Sequence, residues 1–131
     1  MAKVYPIKLN NPDDVILVDV TIKQHDCSLV LDSGATNTII DLNSLLIAGY
    51  SINLLNSKPK KFETANGIIE ANSFIVRSIV VFDTVFNDVQ IFTLDFIQAG
   101  IVSGYEGVLG LDILKQFNVH LNFLDNNLTI S

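Results

Sequence analysis

The sequence Leu29-Val-Leu-Asp-Ser-Gly-Ala-Thr36 places a carboxylate and a hydroxyl directly after three apolar residues. The apolar run indicates a buried strand, and the Ser-Gly pair indicates a tight turn that displays Asp32. Gly34 lets the backbone turn sharply or approach another segment closely. Ser33 can hydrogen-bond to neighbouring backbone groups. Because Asp-Ser-Gly also forms ordinary surface turns, the tripeptide taken alone leaves a functional and a purely structural interpretation open.

Short β-prone segments with turn signals between them surround this stretch. Alternating apolar and polar residues before it predict a strand, which His25 and Asp26 separate from a second strand in a hairpin. Further along, Ala65-Asn-Gly67 joins two extended runs, a strong hairpin signal. Asp41 is a suitable N-cap for the first of two brief helices. The predicted strands are 15–22, 27–31, 38–40, 60–64, 68–82, 85–94, 119–124 and 128–130, and the predicted helices are 41–48 and 111–117. Because the strand 68–82 is long for a globular protein, we expect it to bend or to change partners midway.

A second notable segment, Gly107-Val-Leu-Gly110, lies near the end of the chain. Two apolar residues followed by a glycine predict a strand that passes close to another part of the backbone. The segment lacks the Gly-Lys-Ser/Thr or Gly-x-Gly-x-x-Gly spacing of phosphate-binding loops. Asp112, at the start of the helix that follows, is better interpreted as favourable for the helix dipole than as catalytic.

Composition and charge exclude several classes of protein. Apolar residues make up 49% and charged residues 17% of the chain, so a disordered or fibrous chain is excluded. The net charge of −6 argues against a nucleic-acid partner. No apolar run reaches the ~18 residues that span a membrane, and the first residues do not resemble a signal peptide. We expect 1–131 to form one domain, cytoplasmic as given, and periplasmic or anchored if it was excised from a longer protein.

Cysteine and histidine give little sign of metal or thiol chemistry. The single Cys27 excludes an internal disulfide framework, and its apolar neighbours predict a buried strand residue rather than a reactive thiol. The two histidines, His25 and His120, are far apart, and neither has a second ligand at useful spacing. The sequence therefore predicts no metal site and no cofactor, and it disfavours a metal-dependent hydrolase.

Three elements in combination resemble the retropepsin-like aspartic proteases: Val30-Leu-Asp-Ser-Gly-Ala-Thr36, the Asn66-Gly67 hairpin, and Val108-Leu-Gly110, in that order. The tail from Gly107 to Phe117 is especially similar to the protease domain of the DNA-damage-inducible ubiquitin-shuttle proteins and their single-domain bacterial relatives. The resemblance runs from about residue 15 to the C-terminus. It implies an all-β fold, a closed acid-protease barrel with one or two short helices, which acts as a homodimer.

The resemblance also implies roles for particular residues. Asp32 matches the catalytic aspartate, and Ser33 matches the hydroxyl residue that helps to lock the two catalytic loops of a dimer together. The remaining implied site residues are Gly34, Ala35 and Thr36 in the active-site loop, Thr64, Ala65, Asn66, Gly67, Ile68 and Ile69 in the flap over the substrate, and Val108, Leu109 and Gly110 in the supporting strand. The chain departs from retroviral proteases at Leu111-Asp112, and residues 96–105 are extra.

The implied activity is that of an aspartic endopeptidase acting on a peptide or protein substrate. This chemistry uses two carboxylates that share a proton around a water molecule. Since the chain holds one Asp-Ser-Gly, the second carboxylate is expected to be Asp32 of an identical subunit. The hairpin from Val119 to Ile130 is a candidate for the dimer interface, because its alternating Val119, Leu121 and Phe123 offer one apolar face. Two alternatives stay open: a catalytically silent dimeric peptide-binding module of the same fold, and a plain structural β-domain.

Overall fold

The structure is a computed structural model that describes residues 2–7, 15–53, 58–64 and 67–131. These parts of the chain form mainly short strands, with two brief helices, as the sequence predicted. In chain order the elements are β1 Lys3–Pro6, β2 Leu17–Ile22, β3 His25–Leu31, β4 Ile39–Asp41, α1 Leu42–Ile47, β5 Lys60–Thr64, β6 Gly67–Val81, β7 Thr84–Leu94, β8 Gly107–Leu109, α2 Leu111–Leu114, β9 Val119–Asn122 and β10 Asn127–Ile130.

Six strands close into a barrel in the order β2, β3, β8, β4, β7 and β6, because β6 pairs with β2 as well as with β7. Strand β8 pairs in parallel with β3 and antiparallel with β4. Strand β4 in turn pairs in parallel with β7. Closure gives each of these strands a paired neighbour on both sides, so the barrel has no strand at an open edge. The predicted closed all-β barrel is therefore confirmed.

Strand β6 changes partners along its length, as its 15 residues suggested. From Gly67 to Ala71 it pairs with β5, and from Asn72 onwards it pairs with β7. The fully buried Ala71 marks the change. Strand β5 consequently lies at the edge of the sheet, next to β6 alone in the strand order. The β5–β6 hairpin is thus an extension of the barrel, while the second half of β6 is part of its wall.

Two hairpin turns lie one or two residues earlier than the sequence predicted. Lys23 and Gln24, with φ of 45° and 70°, form the turn between β2 and β3, so His25 and Asp26 belong to β3. Phe82 and Asp83, with φ of 50° and 59°, form the turn between β6 and β7. Two-residue turns with positive φ match the twist of paired strands. Neither pair contains glycine or asparagine, and the usual sequence signal for such a turn is therefore missing. Helix α2 also ends earlier than predicted, at Leu114.

The barrel interior holds the main core, to which Ile22, Leu29 and Leu109 contribute fully buried side chains. Cys27 belongs to the same cluster and is only 3% exposed. Burial raises the pKa of its thiol to about 12, and the nearby carboxylates of Glu106 and Asp26 add to the effect. Cys27 is therefore the buried strand residue that its neighbours predicted, and its thiol stays protonated at neutral pH.

A smaller second core lies beside the β5–β6 hairpin. It consists of buried Ile39, Ala71, Phe92, Leu94 and Phe96, with Phe62, Ile69, Ile101 and Val108 packed against it. The rings of Phe62 and Phe92 meet nearly edge to face, with their centroids 5.0 Å apart. This cluster joins the base of the hairpin to the barrel.

The remaining strands form a separate three-stranded sheet in the order β1, β10 and β9. Val119 and Leu121 of β9 pack against the main core, so they are not the free apolar face that their alternation suggested. Phe123 and Leu124, in the turn after β9, are instead exposed. Among the described residues, no helix is both long and apolar enough to cross a membrane.

Candidate active site

Asp32 directly follows β3 and begins the loop that joins β3 to β4. Since β8 lies between these two strands, the loop passes over the end of β8. The backbone N–H of Asp32 donates to the carbonyl oxygen of Leu109 in β8, at 3.1 Å. Strand pairing thus fixes the position of this aspartate relative to the barrel.

The loop folds into a tight turn around the Asp32 side chain. The carboxylate oxygen Oδ1 accepts a hydrogen bond from the Gly34 N–H at 2.9 Å, and the Ala35 N–H donates to the Asp32 carbonyl at 3.2 Å. An aspartate that bonds to the amide two residues ahead stabilises such a turn. Asp32 is half-buried, whereas Ser33, Gly34 and Thr36 are exposed. The turn therefore presents one oriented carboxylate together with the exposed hydroxyl residues Ser33 and Thr36.

Gly110 lies directly against the far side of this loop. A Cβ atom on Gly110 would lie 2.6 Å from the carbonyl carbon of Asn37 and 2.9 Å from the carbonyl oxygen of Ala35. The next residue, Leu111, donates its N–H to that same Ala35 oxygen at 2.8 Å. Only glycine fits at this distance, which confirms the predicted close approach of two backbone segments. Val108, Leu109 and Gly110 thus support the loop that carries Asp32.

Thr38 and Asp112 fasten the other end of the loop to helix α2. The N–H and hydroxyl of the fully buried Thr38 donate to the Asp112 carboxylate at 2.9 and 2.7 Å. The Thr38 hydroxyl oxygen also accepts from the Gly110 N–H at 3.1 Å. The sequence assigned Asp112 only to the helix dipole and did not single out Thr38. The available signal was a threonine that closes the loop and an aspartate in the first turn of the helix that follows Gly110.

The predicted flap residues occupy the end of the β5–β6 hairpin, where Ala65 and Asn66 lie outside the described residues. Thr64 donates its hydroxyl to the Gly67 carbonyl at 2.8 Å, and Gly67 has the positive φ of 118° that favours glycine. Ile68 is exposed, whereas Ile69 packs on the second core together with Val108. One cluster therefore connects the base of the hairpin to the strand beneath the Asp32 loop.

Residues 96–105, for which the sequence suggested no role, cover the same cluster. Phe96 is buried in it, and Ile101 packs against it. The Ile101 N–H donates to the Phe96 carbonyl at 2.8 Å and closes the segment into a compact turn. Ile97 and Val102 point outward and are 78% and 99% exposed. The extra segment thus completes the second core and leaves two apolar side chains at the surface.

Two neighbouring acidic side chains are occupied by structural hydrogen bonds. Asp112 holds Thr38, as described above. Asp41 caps α1 through the Asn43 N–H at 3.3 Å and also accepts from the Phe96 N–H at 3.2 Å. Of these three carboxylates in the described part of the chain, that of Asp32 is the one that the loop presents for general acid–base chemistry on a bound water.

Comparison with protein families matches residues 18–116, more than half of the chain, to the family described as gag-polyprotein putative aspartyl protease. Among solved structures, a retropepsin-like aspartic protease from Rickettsia conorii matches 99% of this chain and 91% of its own, with a TM-score of 0.69 and 17% sequence identity. Likeness at this level of identity shows a retropepsin-like fold. No match was found among curated proteins.

Proposed function

The chain belongs to the gag-polyprotein putative aspartyl protease family, and from this premise we propose that it is an aspartic endopeptidase that acts as a homodimer. The observation that carries the proposal is the Asp32 turn. Its carboxylate is oriented by the Gly34 N–H. The loop packs against Gly110, where any side chain would clash with the loop backbone. A rigid loop that presents a carboxylate is the kind of support that a catalytic group needs.

In the proposed mechanism, the Asp32 carboxylates of two subunits share one proton and hold a water molecule between them. The ionised carboxylate removes a proton from the water, whose oxygen attacks the peptide carbonyl carbon. The protonated carboxyl group donates to the carbonyl oxygen. When the C–N bond of the resulting diol breaks, the amine leaves with a proton from one carboxyl group, and a diol hydroxyl returns its proton to the other carboxylate. Two carboxylates about 3 Å apart do not ionise together, so the pair titrates in two coupled steps.

The second carboxylate is proposed to come from a second copy of the chain. The sequence contains one Asp-Ser-Gly, and the neighbouring Asp41 and Asp112 are occupied by hydrogen bonds. A two-fold axis beside the turn would place Asp32 next to its symmetry mate. Ser33, exposed beside Asp32, is then suitably placed for its hydroxyl to bond to the partner loop and lock the pair.

The β5–β6 hairpin, from Thr64 to Ile69, is proposed to close over the substrate as a flap. The hairpin lies at the sheet edge, and its exposed Ile68 offers an apolar contact to a substrate side chain. Phe62 and Ile69 anchor its base to the second core. Ala65 and Asn66 belong to the proposed flap through the family resemblance. Closure of such a hairpin excludes water and completes a binding groove.

The decisive experiment is digestion of a diverse peptide pool by the wild type and by Asp32→Asn, with the products identified by mass spectrometry. We expect cleavage by the wild type and none by the variant, because an asparagine side chain is nearly isosteric with aspartate but holds no exchangeable acid proton. Asp88→Asn is a matched control: Asp88 is exposed with φ of 52°, a conformation that asparagine tolerates. Equal cleavage by folded Asp32→Asn would overturn the assignment.

A peptide-binding module of the same fold predicts a different result. Wild type and Asp32→Asn would then both retain peptides on a dimer, and neither would release cleaved products. Affinity capture of the pool on each protein, followed by the same mass spectrometry, separates this outcome from proteolysis.

A further inference from the structure

His25, Cys27 and Glu106 meet at the end of β3 that lies away from Asp32. One potential ligand atom from each side chain, a ring nitrogen, the sulfur and a carboxylate oxygen, lies within 4.8 Å of the others. His25 and Cys27 are two residues apart in a strand and therefore face the same side. Glu106 precedes β8 and is brought alongside by its backbone N–H, which donates to the Ser28 carbonyl at 2.9 Å. From the sequence we identified no second ligand for His25: Cys27, two residues further along, was interpreted only as a buried strand residue, and Glu106 is distant along the chain.

Two features of this cluster indicate that it can bind a ligand. The Nε2 atom of His25 is buried and has no hydrogen-bond partner. Buried polar atoms without a partner are rare in folded proteins and require an explanation. The Glu106 carboxylate is already oriented, because its Oε2 atom accepts from the Ser28 N–H at 2.6 Å. An amide that holds one carboxylate oxygen in this way is a typical support for a metal ligand.

We propose that His25, Cys27 and Glu106 bind one Zn²⁺ ion. Nitrogen, sulfur and carboxylate oxygen are the ligands that zinc takes in proteins, whereas Mg²⁺ and Ca²⁺ prefer oxygen alone. Zinc–ligand bonds of about 2.0–2.3 Å in a tetrahedron separate the ligand atoms by about 3.3–3.8 Å. The observed separations of up to 4.8 Å exceed that range by about 1 Å, so zinc binding would draw the three side chains together, with a water molecule in the fourth position.

The charges of the three ligands also favour a zinc ion at this half-buried site. On binding, the Cys27 thiol releases its proton to solvent and becomes a thiolate. Together with the Glu106 carboxylate, it supplies two negative charges, which the doubly charged ion neutralises. The neutral imidazole of His25 contributes its lone pair and thereby gains the partner that Nε2 lacks.

The ion would tie β3 to the residue that precedes β8. These two strands carry the Asp32 loop and Gly110, so zinc would stabilise the part of the barrel on which the proposed active site rests. Cys27 is five residues before Asp32, about 17 Å along an extended strand. The site is therefore separate from the catalytic turn, and the inference does not depend on the proposed protease activity.

The test uses metal-free protein carrying Asp32→Asn, so that neither the Asp32 carboxylates nor self-digestion affects the result. Calorimetric titration with Zn²⁺ should show one ion per chain, and saturating Zn²⁺ should raise the melting temperature by several degrees. Co²⁺ in place of zinc should give the near-ultraviolet absorption of a cobalt–thiolate bond. His25→Ala, Cys27→Ala and Glu106→Gln should each weaken zinc binding by about 100-fold or more.

His120→Ala is the matched control, because His120 is the other histidine of the chain and is exposed on β9. It should leave zinc affinity and the cobalt spectrum unchanged. If Cys27→Ala fails to fold, Glu106→Gln still tests the site, since a glutamine oxygen can replace the acceptor for the Ser28 N–H. Absence of zinc binding, or binding that survives both His25→Ala and Glu106→Gln, would overturn the proposal.

Discussion

Two buried threonines show how strongly the environment of a hydroxyl group determines its contribution to the stability of the fold. Thr38 and Thr93 are both fully buried. The Thr38 hydroxyl donates to Asp112 and accepts from Gly110, whereas the Thr93 hydroxyl has no hydrogen-bond partner. A buried hydrogen bond adds little net stability, but a buried group that loses its partner costs much more. The two positions therefore respond oppositely to the same substitution.

We predict that Thr38→Val lowers the free energy of unfolding by about 1–3 kcal/mol, because the Asp112 carboxylate and the Gly110 N–H lose their partner. Thr93→Val, which is nearly isosteric and removes an unpartnered hydroxyl, should be neutral or stabilising. Urea denaturation of both variants measures the difference. Peptide cleavage by Thr38→Val should also fall, since the hydroxyl fastens the Asp32 loop to α2. Equal destabilisation by the two substitutions would contradict the role given to Thr38.

Among the secondary-structure elements, the features that depend on short-range sequence patterns were predicted well. Alternation located the barrel strands, Asp41 was correctly predicted as the cap of α1, and the excess length of β6 correctly suggested a change of partner. The turn at Lys23 and Gln24 was mislocated, because its positive φ values come from strand pairing rather than from glycine or asparagine.

Contacts between segments that are distant along the chain could not be predicted from those patterns. Thr38 with Asp112, and Glu106 with Cys27, become neighbours only when β8 inserts between β3 and β4. The glycine at 110 signalled a close approach, but nothing in the sequence identified Asn37 and Ala35 as the residues approached. For the site, the Asp32 turn and its support were therefore predictable, and the bonds that brace them were not.

The β5–β6 hairpin allows a test that separates a moving flap from a structural hairpin. Gly67→Val places a branched side chain at φ of 118°, where nothing lies within 4 Å of the new Cβ. We expect peptide cleavage to fall at least about 10-fold while the melting temperature changes by only a few degrees, because hairpin ends contribute little to global stability. Gly49→Val, at φ of 102° after α1, imposes similar strain away from the hairpin and should leave cleavage nearly unchanged. Parallel losses of cleavage and stability in Gly67→Val would indicate a structural hairpin.

Strand β1 is joined to the β6–β7 turn by a bond that depends on pH. Burial raises the pKa of Tyr5 to about 12, with a further contribution from its 2.8 Å hydrogen bond to the Asp83 carboxylate. Because the folded state keeps this proton at a pH where the unfolded chain releases it, stability falls as pH rises from about 10 to about 12. In Tyr5→Phe this fall should be shallower than in the wild type. Guanidinium unfolding across that pH range measures both slopes, and identical slopes in wild type and Tyr5→Phe would refute the coupling.

For the whole molecule, the proposed mechanism requires a second copy of the chain to complete the site. Strands β1 and β9 form the edges of the three-stranded sheet and carry backbone groups that another chain can pair with. Beside β9, Phe123 and Leu124 are 56% and 97% exposed. Since Val119 and Leu121 are already used by the main core, we propose this turn and the two edge strands, rather than the inner face of the hairpin, as the surface that a partner covers.

The last prediction concerns activity as a function of assembly. If each chain supplies one Asp32 and the reaction needs two, specific activity should rise with protein concentration and level off when the dimer is fully populated. Mixing the wild type with a ninefold excess of Asp32→Asn should reduce wild-type activity about 10-fold at random exchange, because most wild-type chains then pair with an inactive partner. Asp88→Asn in the same excess should cause no such loss. Sedimentation that shows a monomer at concentrations where turnover is proportional to enzyme would rule out a shared site, and with it the two-carboxylate mechanism proposed for this chain.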